Sequence, residues 1–477
     1  MEMQKTFRLL VWLAFAWLAI LEARADGLPP GVEEALRNAG IPQEAVAIVV
    51  QPLDGAAPLL SFNAGQPMNP ASTLKVLTSY AGLLGLGPDY TWKTGFWVRG
   101  EIRDGRLEGD LIVRGGGDPY LTLERMWLMQ RALREKGVRE IAGKLVLDAT
   151  LYDLPPEDPG AFDGEPLAAY NAPPAPLLAD FNVQYVRLVP ADGEVRIEPE
   201  LPLAGLRLIS HLEPVDAPCN GWRDGVLVSF ADAALREVVV FEGVYPRACG
   251  EKRLALNLLP PAVNFARIFR ALWEESGGRW AGDVAEGVAP PETVPLLEFE
   301  SPPLGELIRP LNKHSSNVMA RMLYLSLGEE KFGAPATLEK SAKAVRDILQ
   351  AEGLEFPELV LENGAGLSRS ERISATSMGR LLLAAYRSPY FAELESALPI
   401  VAIDGTLKRR FNGSAVKGRA HLKTGSLKDV RALAGYLIDR NSRRLALVMF
   451  VNHPNAAQAE AAQAALLEWA YAGALPE

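Results

Sequence analysis

Apolar, β-compatible runs stand at both ends of this chain, and that placement limits the folds open to it. Ala45 to Gln51 and Pro58 to Phe62 lie near the start, separated by the turn signal Asp54-Gly55. His421 to Gly425, Arg431 to Ile438 and Leu445 to Val451 lie near the end, the last two joined by the polar run Asp439 to Arg444. Stretches of helical period fall between them: Pro261 to Glu275, Gly305 to Leu311, Asn317 to Leu327 and Pro335 to Ala351, each with a Pro or Gly near one end. The alanine-rich Ala456 to Tyr471 reads as a closing helix. Strands from both ends around a helical block predict one α/β domain with a sheet flanked by helices. A second pattern interrupts it, with alternating runs from Tyr90 to Val113 and over 183–256 and turn signals at Asp104-Gly105, Asp192-Gly193 and Asp224-Gly225. The expected organisation is therefore a domain of 26–94 and 256–477 around a β-rich insertion of 95–255, in one or two subdomains. The run Arg114-Gly-Gly-Gly-Asp-Pro-Tyr120 lacks the Gly-Lys-Ser/Thr ending of a phosphate loop and reads as a turn.

Residues 1–25 precede that domain with Lys5 and Arg8, an apolar run from Leu9 to Leu21, and Ala23-Arg24-Ala25. The run is shorter than the ~20 residues that span a bilayer, so it predicts a signal peptide, an exported or periplasmic chain, and no integral membrane segment after cleavage. A formal net charge of −10 argues against nucleic-acid binding. Cys219 and Cys249 are the only two cysteines, and export predicts that they form a disulfide. Four scattered histidines add no ligand spacing, so neither a metal nor another cofactor is expected.

The chemistry concentrates in Asn69 to Gly85. Asn69 can cap a helix, and Pro70 suits its first position. Ser72 and Lys75 then sit three residues apart on one face, where an amine can take a proton from a hydroxyl. The helix N-terminus adds unpaired N–H donors where an oxyanion would form. Two further signals complete the set: Ser315-Ser316-Asn317 entering a helix and Lys423-Thr424-Gly425 on a terminal strand. Each motif has a second copy, at Ser414 to Lys417, Ser61-Phe-Asn63 and Lys93-Thr-Gly95, but only the chosen trio has helix, turn and edge-strand settings in that order.

With these motifs the chain resembles the low-molecular-mass class C penicillin-binding proteins, the D-alanyl-D-alanine carboxypeptidase/endopeptidase family. Further stretches carry the likeness: Gly116-Gly-Asp-Pro119, Tyr170-Asn-Ala-Pro-Pro174, Glu362-Asn-Gly-Ala-Gly-Leu-Ser-Arg369, Asp404-Gly-Thr-Leu407 and Lys423-Thr-Gly-Ser-Leu427. The resemblance implies a penicillin-binding transpeptidase-like domain with a large insertion after the first motif. It implies hydrolysis of peptidoglycan stem peptides or cross-links through a serine acyl-enzyme, with β-lactams as inhibitors. Ser72 would be the nucleophile, Lys75 its base, Ser315 the relay to the leaving amine, and Asn317 the group that fixes Lys75 and the substrate amide. Lys423 would bind the terminal carboxylate, Thr424 and Gly425 the peptide backbone, and Ser426 would share the oxyanion with Ser72. Arg369 matches an arginine used near the terminal D-alanine. Tyr170 matches an aromatic that helps bind substrate together with an acid, Glu165 or Asp163, of which Glu165 is carried forward. Lys428 replaces a glutamine found in some relatives, which bears on substrate preference. A β-lactamase-like hydrolase and a weakly catalytic peptidoglycan-binding protein of the cell envelope are the alternatives.

Overall fold

Two distant pieces of chain build the central sheet of the computed structural model, which describes residues 27–290 and 293–473. The expected signal peptide lies outside those residues. The sheet has five antiparallel strands in the order Ala420–Leu427, Val430–Ile438, Arg444–Asn452, Val46–Pro52, Leu60–Phe62. Val46 stands opposite Val451 and Val50 opposite Leu447, so the two chain ends share a ladder. The inner strands are apolar on both faces because each face is covered. Val46, Ile48, Val50, Leu445, Leu447 and Met449 point into one core with the helices Pro30–Asn38 and Glu460–Tyr471. Ala47, Val49, Ala446, Val448 and Phe450 point into the other, against the helical block that includes Leu74–Leu86, Ala375–Arg387 and Phe391–Ala397. Alternation with period two thus feeds two helical layers from one sheet.

A third core gathers Phe96, Leu111, Val113, Phe241 and Tyr245 under the hairpin Lys93–Arg103/Arg106–Arg114 and the two three-stranded sheets that follow. The hairpin turns at Asp104 and Gly105, both with positive φ, as a tight right-twisted connection requires. This core does not stop at residue 255. Phe265, Phe269 and Trp273 of the helix Pro261–Glu275 lie in it beside Trp280, and the strand Leu297–Glu300 pairs with the first strand of the hairpin. Chain entry and exit sit side by side: Ser301 N–H donates to Trp92 O at 2.9 Å, and Trp92 N–H to Ser301 Oγ at 3.0 Å. We therefore propose an insertion of 93–300, and its expected end at 255 is too early. Helical period alone does not reveal which core a helix packs against.

Candidate active site

Ser72 is presented by a tighter turn than the spacing suggests. Ala71–Thr73 is one turn of 3-10 helix, and the α-helix begins only at Leu74. Asn69 caps that short turn, its Oδ1 accepting from Ala71 N–H at 2.8 Å while Nδ2 donates to Ser368 O at 2.8 Å. Ala71 has φ +44, a left-handed backbone held by these contacts. Gly366, itself at φ +78, packs so closely that a Cβ there would lie 1.9 Å from Ala71 O. A side chain at 366 is thus incompatible with the nucleophile turn.

Lys75 Nζ lies 2.9 Å from Ser72 Oγ, 2.7 Å from Asn317 Oδ1, and in short contact with Ala365 O. A neutral amine has two hydrogens and one lone pair. With two carbonyl oxygens accepting those hydrogens, the lone pair is left for the Ser72 hydroxyl. Lys75 is fully buried, and burial lowers its pKa to about 7, with Glu371 pulling the other way. The lowering comes from desolvation of the amine by burial.

The second motif enters the helix Asn317–Phe332. Ser316 is its N-cap, accepting from Met319 N–H, and Ser315 stands just outside with φ +58. Asn317 Nδ2 donates to Tyr170 O at 2.9 Å, so one amide links the base to the loop of the insertion. The third motif lies on Ala420–Leu427, an edge of the central sheet. Lys423 Nζ donates to Ser315 Oγ and Thr424 O, each at 2.8 Å. Burial and then the charge of Lys75 hold its pKa well below the usual lysine value. Thr424 Oγ1 meets Thr406 Oγ1 at 2.8 Å, and Ser426 is exposed on the same strand. A Cβ at Gly425 would lie 2.7 Å from Pro70 O, which explains the glycine.

The remaining expected residues fall in two further groups, around Asp163 and around Arg369. Tyr170 is about half exposed and donates through its hydroxyl to Asp163 Oδ2 at 2.8 Å. Asn171 Nδ2 donates to Asp163 Oδ1 at 2.9 Å, whereas Glu165 engages this network through its backbone carbonyl and its side chain is exposed. The geometry thus groups Asp163, not Glu165, with Tyr170. Arg369 donates to Asp429 Oδ1 at 3.0 Å and lies 4.5 Å over the ring of Phe162, beside a cleft of about 440 Å³ that also involves Arg321 and Glu362. Lys428 is exposed next to Asp429. Of the duplicate motifs, Lys93 pairs with Glu298 and Glu300, and Ser414 lies in a loop away from any strand or helix. Cys219 and Cys249 are bonded within the insertion. Among the described residues no cluster of His, Cys, Asp or Glu could hold a metal, and no helix is long and apolar enough to cross a membrane. Sequence reasoning missed Ala365 and Glu371.

Against known proteins, the model of the D-Ala-D-Ala carboxypeptidase 3 (S13) family matches residues 29–472. The chain is 27% identical over 412 residues to D-alanyl-D-alanine carboxypeptidase DacB of Haemophilus influenzae, covering 83% of this chain and 82% of that one. It is 28% identical over 452 residues to a D-alanyl-D-alanine carboxypeptidase of Actinomadura sp., covering 87% and 79%. The crystal structure of penicillin binding protein 4 from Haemophilus influenzae superposes with a TM-score of 0.76 at 25% identity, over 92% of this chain and 99% of that one. The same protein complexed with a β-lactam gives a TM-score of 0.72.

Proposed function

The chain belongs to the D-Ala-D-Ala carboxypeptidase 3 (S13) family, and we propose that it carries out serine-type DD-carboxypeptidase chemistry on peptidoglycan stem peptides through Ser72. It is a serine D-Ala-D-Ala carboxypeptidase and a penicillin-binding protein of low molecular mass. The observation that carries the mechanism is the amine of Lys75, buried, with two carbonyl acceptors and a lone pair facing Ser72 Oγ.

The peptide lies as an added strand along the edge of Ala420–Leu427 from Lys423 onward, past the bridge that pairs His421 with Ile400. Its terminal carboxylate meets Lys423, and the pairing restores the ammonium that burial disfavours. Ser72 Oγ attacks the penultimate D-alanine carbonyl while its proton passes to Lys75 Nζ. The N–H groups of Ser72 and Ser426 receive the oxyanion. Ser315, held by Lys423, relays the proton taken up by Lys75 to the departing D-alanine amine, giving its own proton to the nitrogen and regaining one from the Lys75 ammonium, and the C–N bond breaks to leave an ester on Ser72. Water then hydrolyses that ester. Asp163, Tyr170 and Arg369 contact the substrate side chain from the cleft beside the strand. The same steps cut a cross-link whose scissile bond follows a D-alanine, which is the endopeptidase reaction. Fast β-lactam hydrolysis is disfavoured because Glu371, the carboxylate acting on Lys75, is fully buried and bonded to backbone, closed to a deacylating water. Action outside the cytoplasm, in the periplasm, is supported by the peptidoglycan substrate and by the signal-peptide pattern of residues 1–25.

A fluorescent penicillin together with purified muropeptides tests this. Ser72 should carry the label, and Ser72→Ala should abolish both labelling and release of D-alanine, while Ser414→Ala changes neither. Labelling that persists in Ser72→Ala would remove the assignment.

A further inference from the structure

One carboxyl group beside Lys75 is left unused by the acyl-transfer steps. Glu371 is fully buried, and its Oε1 accepts from Glu362 N–H at 3.1 Å, Asn363 N–H at 3.0 Å and Gly364 N–H at 3.0 Å. Its Oε2 is sealed from solvent and has no partner among the described residues. Burial raises its pKa above the usual carboxylate range, and the three amides on a single carboxyl oxygen work against that shift in favour of the anion.

The loop so held touches the Ser72 turn and the helix after it at three points. Ala365 O accepts from Lys75, Gly364 O accepts from Thr78 Oγ1 at 2.6 Å, and Gly366 lies against Ala71 O. Asn363 stiffens it from within, Oδ1 accepting from Ala365 N–H at 2.9 Å and Nδ2 donating to Leu367 O at 2.8 Å. The charged and titratable groups that act on Glu371 or feel it are Lys75, Glu362 and the Tyr324 phenol, with Arg346 acting on that phenol; Lys75 is a cation when protonated.

We propose that Glu371 is a positioning residue for the base: its carboxylate clamps the 362–366 loop so that the Ala365 carbonyl faces Nζ, and its negative charge stabilises the ammonium formed there. The Ser72 O–H bond breaks as the Oγ–C bond forms, and the proton moves to the Nζ lone pair. Glu371 neither gains nor loses a proton in that step. A lysine base buried without a counter-charge would be a poor proton acceptor, since the product ion would be left unpaired. The proposal rests on Lys75 acting as the base for Ser72.

Two substitutions separate the clamp from the charge, read as the pH profile of Ser72 acylation by a fluorescent penicillin with melting followed in parallel. Glu371→Gln keeps an oxygen for the three amides but no charge. Its acidic limb should move to lower pH by about half a unit or more, with the alkaline plateau within about fivefold of the parent. Glu371→Asp keeps the charge but draws the oxygen back, so the limb should stay and the plateau should fall about tenfold. A glutamine limb at the parent position, or an aspartate limb displaced as far as the glutamine one, would overturn the proposal. Should the glutamine protein not fold, the aspartate profile decides: a retained limb with a lower plateau supports it, and a limb moved downward overturns it. Either result leaves Ser72 labelled, so failure here is distinct from failure of the acyl-enzyme reading.

Discussion

Lys75 and Asn317 are joined by a 2.7 Å hydrogen bond across a sequence separation of 242 residues. That bond ties the helix carrying Lys75 to the helix carrying Asn317, and the other end of the same amide holds Tyr170 O. Asn317→Ala should therefore lower penicillin acylation about ten- to hundredfold, the range for losing one or two buried hydrogen bonds of roughly 1.5–3 kcal/mol in all. Asn317→Asp should act differently: a carboxylate beside Lys75 raises the lysine pKa and moves the acidic limb of acylation upward. Stopped-flow acylation rates across pH distinguish the two outcomes.

The wild-type profile itself should be set by Lys75, if it is the base for Ser72 as proposed. Its pKa is lowered to about 7, so the amine is mostly protonated below that pH and free to act above it. Acylation should fall about tenfold for each unit below the limb. The sign for stability follows from linkage: the unfolded chain binds more protons at this site between about 7 and the ordinary lysine value of 10.5. The contribution of Lys75 to stability should therefore rise with pH across that window. Comparing the pH dependence of denaturation midpoints for the parent and Lys75→Met isolates it.

For Lys423 the diagnostic is the substrate terminus. Lys423→Ala should lower kcat/KM about ten- to hundredfold on peptides ending in a free carboxylate, the value of a charge-assisted hydrogen bond. On the same peptide amidated at its end the loss should be much smaller. Equal losses on both would assign Lys423 to tuning the Ser315 and Lys75 network instead.

Asp163 and Glu165 make a matched pair two residues apart. Because Asp163 accepts from both Tyr170 and Asn171, Asp163→Ala should raise KM for a muropeptide several-fold. Glu165→Ala, at an exposed side chain, should leave both kinetic constants near the parent values. Muropeptide hydrolysis is the assay, since penicillin lacks the stem-peptide side chain.

The disulfide is remote in role from these steps. Reducing Cys219–Cys249, which closes a loop of sequence separation 30, should cost roughly 3 kcal/mol of stability in the insertion. Acylation at a temperature where the reduced protein is folded should be unchanged. Calorimetry and penicillin labelling on one sample give both readings.

Legibility in the sequence followed the physics of each residue. Ser72 and Lys75 were readable because i, i+3 spacing on a helix fixes their meeting, although the 3-10 turn before Leu74 was not. Ser315, Asn317 and Lys423 became readable through the family motifs, which mark side chains that meet only in the fold. Ala365 left no trace, because a carbonyl is common to every residue. Glu371 was hidden for a related cause: its partners are backbone amides of a loop, and nothing in Ser-Glu-Arg-Ile announces them. The helix Pro261–Glu275 has the amphipathic pattern expected of it in either core, so its place in the insertion had to come from packing.

The sheet that pairs Val46 with Val451 also governs when the enzyme can begin to act. A chain emerging N-terminus first delivers Ser72 and Lys75 early, but their strand neighbours and Lys423 arrive almost last. Such distant pairings form slowly, because the loop between them must close before any contact repays the loss of freedom. During that delay the nucleophile has neither its buried base environment nor its substrate edge, so an unfinished chain is silent. Activity is thereby expected only of the completed molecule.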